Sequence, residues 1–135
     1  MKKLLSLLAL TSLMYAEPID ELISSLEKEV LQEDQSFKGF SKTRGEKVFT
    51  TAHKGKKGDI ISCASCHTND FTKKGKHHFT GEELPALARS VNPKAFTDVR
   101  HVNKWLRRNF KDVYNRLGTP KEKGDVLVYM LSKAR

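Results

Sequence analysis

Cys63-Ala64-Ser65-Cys66-His67 places two thiols and an imidazole in one short run, and its cysteines are the only two in the 135-residue chain. That spacing removes most alternatives at once. A structural zinc site needs four ligands, usually as two pairs, and there is no third cysteine to build one. A thioredoxin-like pair belongs at the start of a helix between strands, and no strand pattern surrounds this run. A free dithiol and a simple disulfide stay open. The reading that uses all three side chains is attachment of a c-type haem, with both thiols bound to its vinyl groups and His67 beneath the iron as proximal ligand.

The chain begins Met1-Lys2-Lys3, continues with an apolar run from Leu4 to Leu13, and passes through Met14-Tyr15-Ala16 into the polar Glu17-Pro18. A basic start, a short apolar stretch and a small residue at the cut describe a secretory signal peptide over residues 1–16. The run is too short to cross a bilayer comfortably, and no cysteine near Ala16 offers a lipid anchor. Export agrees with the haem motif, because thioether attachment of this kind takes place outside the cytoplasm. The remaining length suits one small domain, with residues 17–40 as an N-terminal helix and linker and residues 41–135 as the haem domain.

Lysine and arginine number 25 against 16 acidic residues, a formal net charge of +9. In an exported protein that balance points to acidic protein partners and away from nucleic acid. Lys54, Lys56, Lys57, Lys73, Lys74 and Lys76 flank the motif and form either the rim of an exposed haem edge or an ordinary solvated surface.

The fold class read from periodicity is all-α. Ile19, Leu22, Ile23, Leu26 and Val30 recur at helical spacing, so a helix is expected from Pro18 to about Gln35. Ser41 caps a second helix carrying Gly45, Val48 and Phe49. Thr119-Pro120-Lys121-Glu122 unites a capping box with proline at the first helical position and starts a terminal helix, in which Met130 falls among core residues.

A further helix starts near Thr97 or Asp98. On its wheel Val99, Val102, Leu106, Phe110 and Val113 make one apolar stripe with Trp105 at the margin, while Arg100, Lys104, Arg107, Arg108 and Lys111 fill the other face. Asn109 falls inside the stripe, and His101 at its boundary. An amide buried without a partner costs about 1 to 3 kcal/mol. Three readings follow: Asn109 ligates the iron, or it caps a helix ending there, or His101 supplies the sixth ligand. His53, His77 and His78 lie in polar loops and read as exposed. Trp105 reads as haem-packing core.

Taken together, these segments resemble the oxygen-binding cytochromes c typified by the sphaeroides haem protein. The resemblance rests on Ser62 to His67, Thr80-Gly81-Glu82, Leu84-Pro85-Ala86-Leu87-Ala88, Asn92-Pro93, Phe96-Thr97-Asp98 and Lys104-Trp105-Leu106-Arg107-Arg108-Asn109. It continues through Asp112-Val113 and Arg116 to Thr119-Pro120-Lys121-Glu122-Lys123, and so covers roughly Gly45 to Leu131. It implies a single-domain cytochrome c fold around one covalent haem c, with an extra N-terminal helix, in a bacterial periplasm. In that group the asparagine of the Lys-Trp-x-x-Arg-Asn run ligates ferric iron, which corresponds to Asn109 here.

The implied cofactor-binding set is Cys63, Cys66, His67, Trp105 and Asn109, with His67 and Asn109 on the metal. A weak amide ligand tolerates ferric iron better than ferrous, so reduction is expected to release it and admit O2, NO or CO. Implied partners are a multihaem cytochrome c and a membrane cytochrome b, with electrons passed on to dioxygen or another small oxidant. The alternative is a bis-histidine or histidine-only electron shuttle that binds no gas. By analogy with class I cytochromes c, a carbonyl of the Leu84-Pro85 segment orients His67. Members of the group often carry cysteines just after the asparagine and near the following arginine, where this chain has Phe110 and Leu117. The group's extra disulfide is therefore expected to be absent, and the loop holding Asn109 to depend on packing of Phe110, Val113 and Leu117.

Overall fold

A side chain at Gly45 would collide with the backbone of the last helix, and that close approach organises the fold. The computed structural model describes residues 17–135, so the signal-peptide reading lies outside the described residues. Gly45 sits in α2 (Lys42–Thr50), which is capped by Ser41 as expected, and crosses α5 (Pro120–Ala134). A Cβ on Gly45 would run into the Asp125 carbonyl oxygen and stand 2.8 Å from Tyr129 Cβ. The crossing is locked by the buried Asp125 carboxylate, which accepts from the Ser41 backbone N–H at 2.7 Å, from Arg44 Nε at 2.7 Å and from Arg44 Nη2 at 2.8 Å. Beneath it Phe49, Phe71 and Tyr129 cluster, with ring centroids 5.4 Å, 5.6 Å and 6.2 Å apart. Met130 lies on α5 packed against this core.

The first helix, α1 (Pro18–Glu33), buries Ile19, Leu26 and Val30, and it packs mainly on α5. Arg89 ties its start to the following segment by donating to Glu17 at 2.9 Å. Two surface clefts of about 250 Å³ and 300 Å³ lie along this seam, both lined by Glu17 and Arg89.

The motif run forms its own short helix, α3 (Cys63–His67). After it the chain winds through turns before α4 (Val99–Tyr114), which begins under the Asp98 cap and ends at Asn115 in the left-handed conformation, φ 54°. Irregular segments of that length are uncommon in small domains unless they serve a site. This one is held by Ala88 N–H to the Phe71 carbonyl at 2.8 Å, Arg89 N–H to the Ala134 carbonyl at 2.7 Å and Asn92 Nδ2 to the Ala86 carbonyl at 2.7 Å. Four two-residue strands complete the described residues: β1 (His53–Lys54) pairs antiparallel with β2 (Ile60–Ile61), and β3 (Gly75–Lys76) with β4 (Glu83–Leu84). The architecture is the expected all-α cytochrome c fold.

Candidate haem site

A five-residue helix has little intrinsic stability, and α3 exists because both its ends are tied. Ser62 and Ser65 form a capping box, with Ser62 N–H donating to Ser65 Oγ at 2.9 Å and Ser65 N–H to Ser62 Oγ at 3.3 Å. Helical spacing then turns Cys63, Cys66 and His67 to one side, as two thioether bonds and a ligand to one porphyrin require. The chain leaves His67 through Thr68 at φ 63° and ψ 168°, a region almost reserved for glycine. Gly75 of β3 backs the turn: a Cβ there would collide with the Cys66 carbonyl oxygen and stand 3.1 Å from His67 Cα.

Burial, reinforced by the Cys66 charge, pushes the Cys63 thiol up to about 12. Redox-active pairs do the opposite and lower the attacking thiol, so the dithiol reading loses its chemistry. Burial, with His77 adding to it, holds the His67 imidazole below its ordinary value and keeps it neutral, the form that binds a metal. His67 Nδ1 is enclosed and makes no hydrogen bond among the described residues. The expected bond from His67 to a Leu84-Pro85 carbonyl is thus not formed. The ring packs instead near Phe49, with centroids 6.5 Å apart.

On α4 the wheel is realised. Leu106, Phe110 and Val113 are buried, while Val102, Trp105 and Asn109 form a neighbouring row that is only half-buried. That row is a core-like face lacking a cover, the condition a porphyrin face would satisfy. The helix runs through Asn109 and on to Tyr114, so Asn109 does not cap it; Asn115 takes that place. Asn109 makes no side-chain hydrogen bond among the described residues.

Among the described residues no hydrogen bond or ring contact joins Asn109 or Trp105 directly to α3. The two sides meet through Val48, whose carbonyl accepts from Tyr114 Oη at 2.9 Å and lies 4.0 Å from Cys63 Sγ. Leu117, expected to help pack this region, is 53% exposed. Its neighbour does the work, because Phe110 covers Gly118 so closely that a Cβ there would stand 2.6 Å from the ring.

The remaining histidines divide. His101 is exposed, 6.0 Å from Trp105 between ring centroids. His77 departs from the exposed-loop expectation, being half-buried with Nδ1 accepting from Thr80 N–H at 3.2 Å, while His78 is exposed with Nε2 3.8 Å from Asp59. His53 departs from the exposed-loop expectation: it stacks on Tyr114 at 4.0 Å, and its Nε2 is enclosed without a partner among the described residues. The signal that would have found it is the pairing of β1 with β2, two elements too short to leave a sequence pattern.

Two thiols and a neutral imidazole on one helical turn, with an uncovered apolar row on another helix, fit a covalently held haem, and fold and site together define a monohaem c-type cytochrome. The family model described as Domain of unknown function (DUF1924) matches residues 35–130. The chain belongs to the sphaeroides haem protein family, and its cofactor is covalent haem c. Cytochrome c-type protein SHP of Cereibacter sphaeroides is 41% identical over 90 residues, 67% of this chain and 69% of that protein. Cytochrome c'' of Methylophilus methylotrophus is 36% identical over 93 residues, 69% of this chain and 65% of that protein. The matches therefore span about two thirds of each relative.

Among solved structures, oxidized cytochrome c'' superposes with a TM-score of 0.72 at 31% identity, covering 84% of this chain and 93% of that one. Oxidized SHP, described as an oxygen binding cytochrome c, gives 0.71 at 34% identity over 86% and 97%. The solution structure of cytochrome c'', described as giving insights into haem-ligand detachment, gives 0.73 at 30% identity over 87% and 94%.

Proposed function

We propose that this protein is an exported, periplasmic electron-transfer cytochrome in which the Asn109 amide is the sixth ligand in the oxidised state and withdraws on reduction, admitting O2, NO or CO. When bound, haem c would supply an iron that exchanges one electron and accepts ligands from the protein or a small gas. Cys63 and Cys66 would hold it through their thiols and His67 would bind its iron, while Trp105 and Val102 would supply apolar cover from α4.

The observation that carries this reading is the position of Asn109: mid-helix, in the half-buried row, with neither a capping role nor a protein hydrogen-bond partner among the described residues. An amide oxygen is a neutral, hard donor and a weaker match for ferrous than for ferric iron. The same side chain carries an NH2 donor, so once released it can donate a hydrogen bond to a guest in the vacated space. Two neighbours support the reading through what is said of them, oxygen binding for SHP and haem-ligand detachment for cytochrome c''. Electrons would come from a multihaem cytochrome c and a membrane cytochrome b, as the family resemblance implies. No helix among the described residues is long and apolar enough to cross a membrane.

The test is optical. The reduced holoprotein is expected to be five-coordinate and to bind carbon monoxide, and Asn109→Val is expected to alter the ferric spectrum while His101→Ala leaves it unchanged. A low-spin ferrous protein that ignores carbon monoxide, or a ferric spectrum that responds only to His101→Ala, overturns the proposal in favour of a plain shuttle.

A further inference from the structure

We propose that the outward face of α4 is a docking surface for an acidic protein. Arg100, Lys104, Arg107, Arg108 and Lys111 are all exposed and occupy one arc of the wheel, opposite the buried stripe. They are spaced so that each has a like-charged neighbour three or four positions away, an arrangement that destabilises an isolated helix. The only acidic residue of α4 is the half-buried Asp112, four positions after Arg108, and it forms no ion pair with any of the five, so one carboxylate stands against five cations. Arg100 also stands in the first turn, where a cation opposes the helix dipole.

Elsewhere among the described residues four cations are paired with carboxylates, and the other lysines and arginines stand scattered over several elements rather than gathered on one helix face. Arg44 meets Asp125 at 2.7 Å, Arg89 meets Glu17 at 2.9 Å, Arg116 meets Glu122 at 2.6 Å and Lys74 meets Glu83 at 2.7 Å. None of the five α4 cations has an acidic partner among the described residues. A helix face that accumulates repelling charge without relief is explained by a partner that supplies the missing carboxylates, which both attracts and orients it.

The stripe also reaches the haem-facing edge. Arg108 lies 5.3 Å and Lys104 5.9 Å from the Trp105 ring centre, and Trp105 belongs to the same half-buried row as Asn109. At the other end the Lys56 N–H donates to the Asp112 carbonyl at 2.9 Å, which brings the exposed Lys54, Lys56 and Lys57 near the C-terminal end of α4. A carboxylate-rich protein seated here would contact the helix that carries Asn109. This inference does not require Asn109 to be a ligand, since it rests on charge placement alone.

The test uses the isotope-labelled holoprotein and poly-L-glutamate at low salt, with phosphatidylglycerol vesicles and a DNA duplex as competing probes. Poly-L-glutamate is expected to shift the α4 amides from Arg100 to Lys111 and the Trp105 indole, with the shifts lost at about 0.5 M salt. Arg107→Glu with Lys111→Glu is expected to weaken binding about tenfold or more, and Lys73→Glu with Lys76→Glu, an equal change of net charge, by about twofold or less. Equal weakening by both pairs, shifts spread over all basic loops, or preference for vesicles or DNA over poly-L-glutamate overturns the proposal.

Discussion

Replacing Gly45 with alanine sets two expectations of opposite sign against each other. Gly45 lies inside α2, where alanine is favoured over glycine by about 1 kcal/mol on helix propensity. Packing argues the other way. The new Cβ would overlap the Asp125 carbonyl oxygen and stand 2.5 Å from the Asp125 carbonyl carbon and 2.8 Å from Tyr129 Cβ. None of these is the end of a flexible side chain, so the helices themselves must part by about 1 Å to restore ordinary contact. A gap of about 1 Å forfeits up to about half of the attraction between facing atoms. The facing atoms here include Phe49 at 1%, Leu127 at 0% and Val126 at 2% exposure.

The same shift stretches the three hydrogen bonds held by Asp125. Overpacking typically costs about 1 to 3 kcal/mol, and this site combines it with a buried polar lock, so about 3 kcal/mol net destabilisation is expected after the propensity gain. Chemical denaturation of the holoprotein, followed at the Soret band and in the far ultraviolet, measures it against wild type and an exposed Lys47→Ala control. A Gly45→Ala protein as stable as wild type, or more so, would show that close helix crossing is not what demands glycine here.

Asp125→Asn keeps the shape but points an NH2 at a donor of Arg44, and because Arg44 is half-exposed and can return to water the loss should be about 2 to 3 kcal/mol, read as a lower denaturation midpoint with unchanged slope. Tyr114→Phe removes the hydrogen bond to the Val48 carbonyl and should cost about 1 kcal/mol; in the wild type this half-buried phenol should ionise only at about 12, pushed up first by burial, visible in ultraviolet pH titration and missing from the variant. Glu122 is held below the ordinary glutamate value of 4.5, first by its bond to Arg116 and then by the Thr119 N–H, against the opposing effect of burial. Its stabilisation is therefore complete above 4.5 and disappears as pH falls through the lower folded value. Glu122→Gln should lose about 0.5 kcal/mol at pH 7, because the Arg116 side is half-exposed, and should show a flatter acid limb in urea melts below about pH 4.5.

Helix ends were the most legible part of the fold, because capping is local chemistry. Ser41, Asp98 and Thr119 each accept from the backbone where the sequence placed a start. The four strands were illegible, since a two-residue bridge has no alternation to read. His53 was misread for that reason: β1 and α4 carry it against Tyr114, a neighbour remote in sequence. Leu117 was misread because residue type pointed to the apolar side chain, whereas the space under Phe110 admits only the adjacent Gly118. The haem motif needed no fold at all to be recognised. The Asn109 reading did, since only the continuation of α4 to Tyr114 removes its capping alternative.

On the proposed ligation by Asn109, that continuation also limits how the side chain can leave the iron. A ligand on a loop can withdraw with its backbone, but Asn109 sits within a helix capped at Asp98, closed at Asn115 and fastened at Tyr114 to the carbonyl of Val48. Phe110, its immediate neighbour, is buried at 3% exposure against Gly118, so sliding the helix would open a gap beneath an aromatic ring. Truncating a buried phenylalanine costs about 3 to 5 kcal/mol, and a backbone shift would lose part of that. Rotation of the Asn109 side chain loses none of it. Release by reduction should therefore be a rotamer change on a stationary helix, and amide hydrogen exchange from Leu106 to Val113 should be equal within about twofold in the two oxidation states. Faster exchange across that span in the reduced protein would mean that the helix opens, and that packing of Phe110 and Tyr114 does not hold the segment in place.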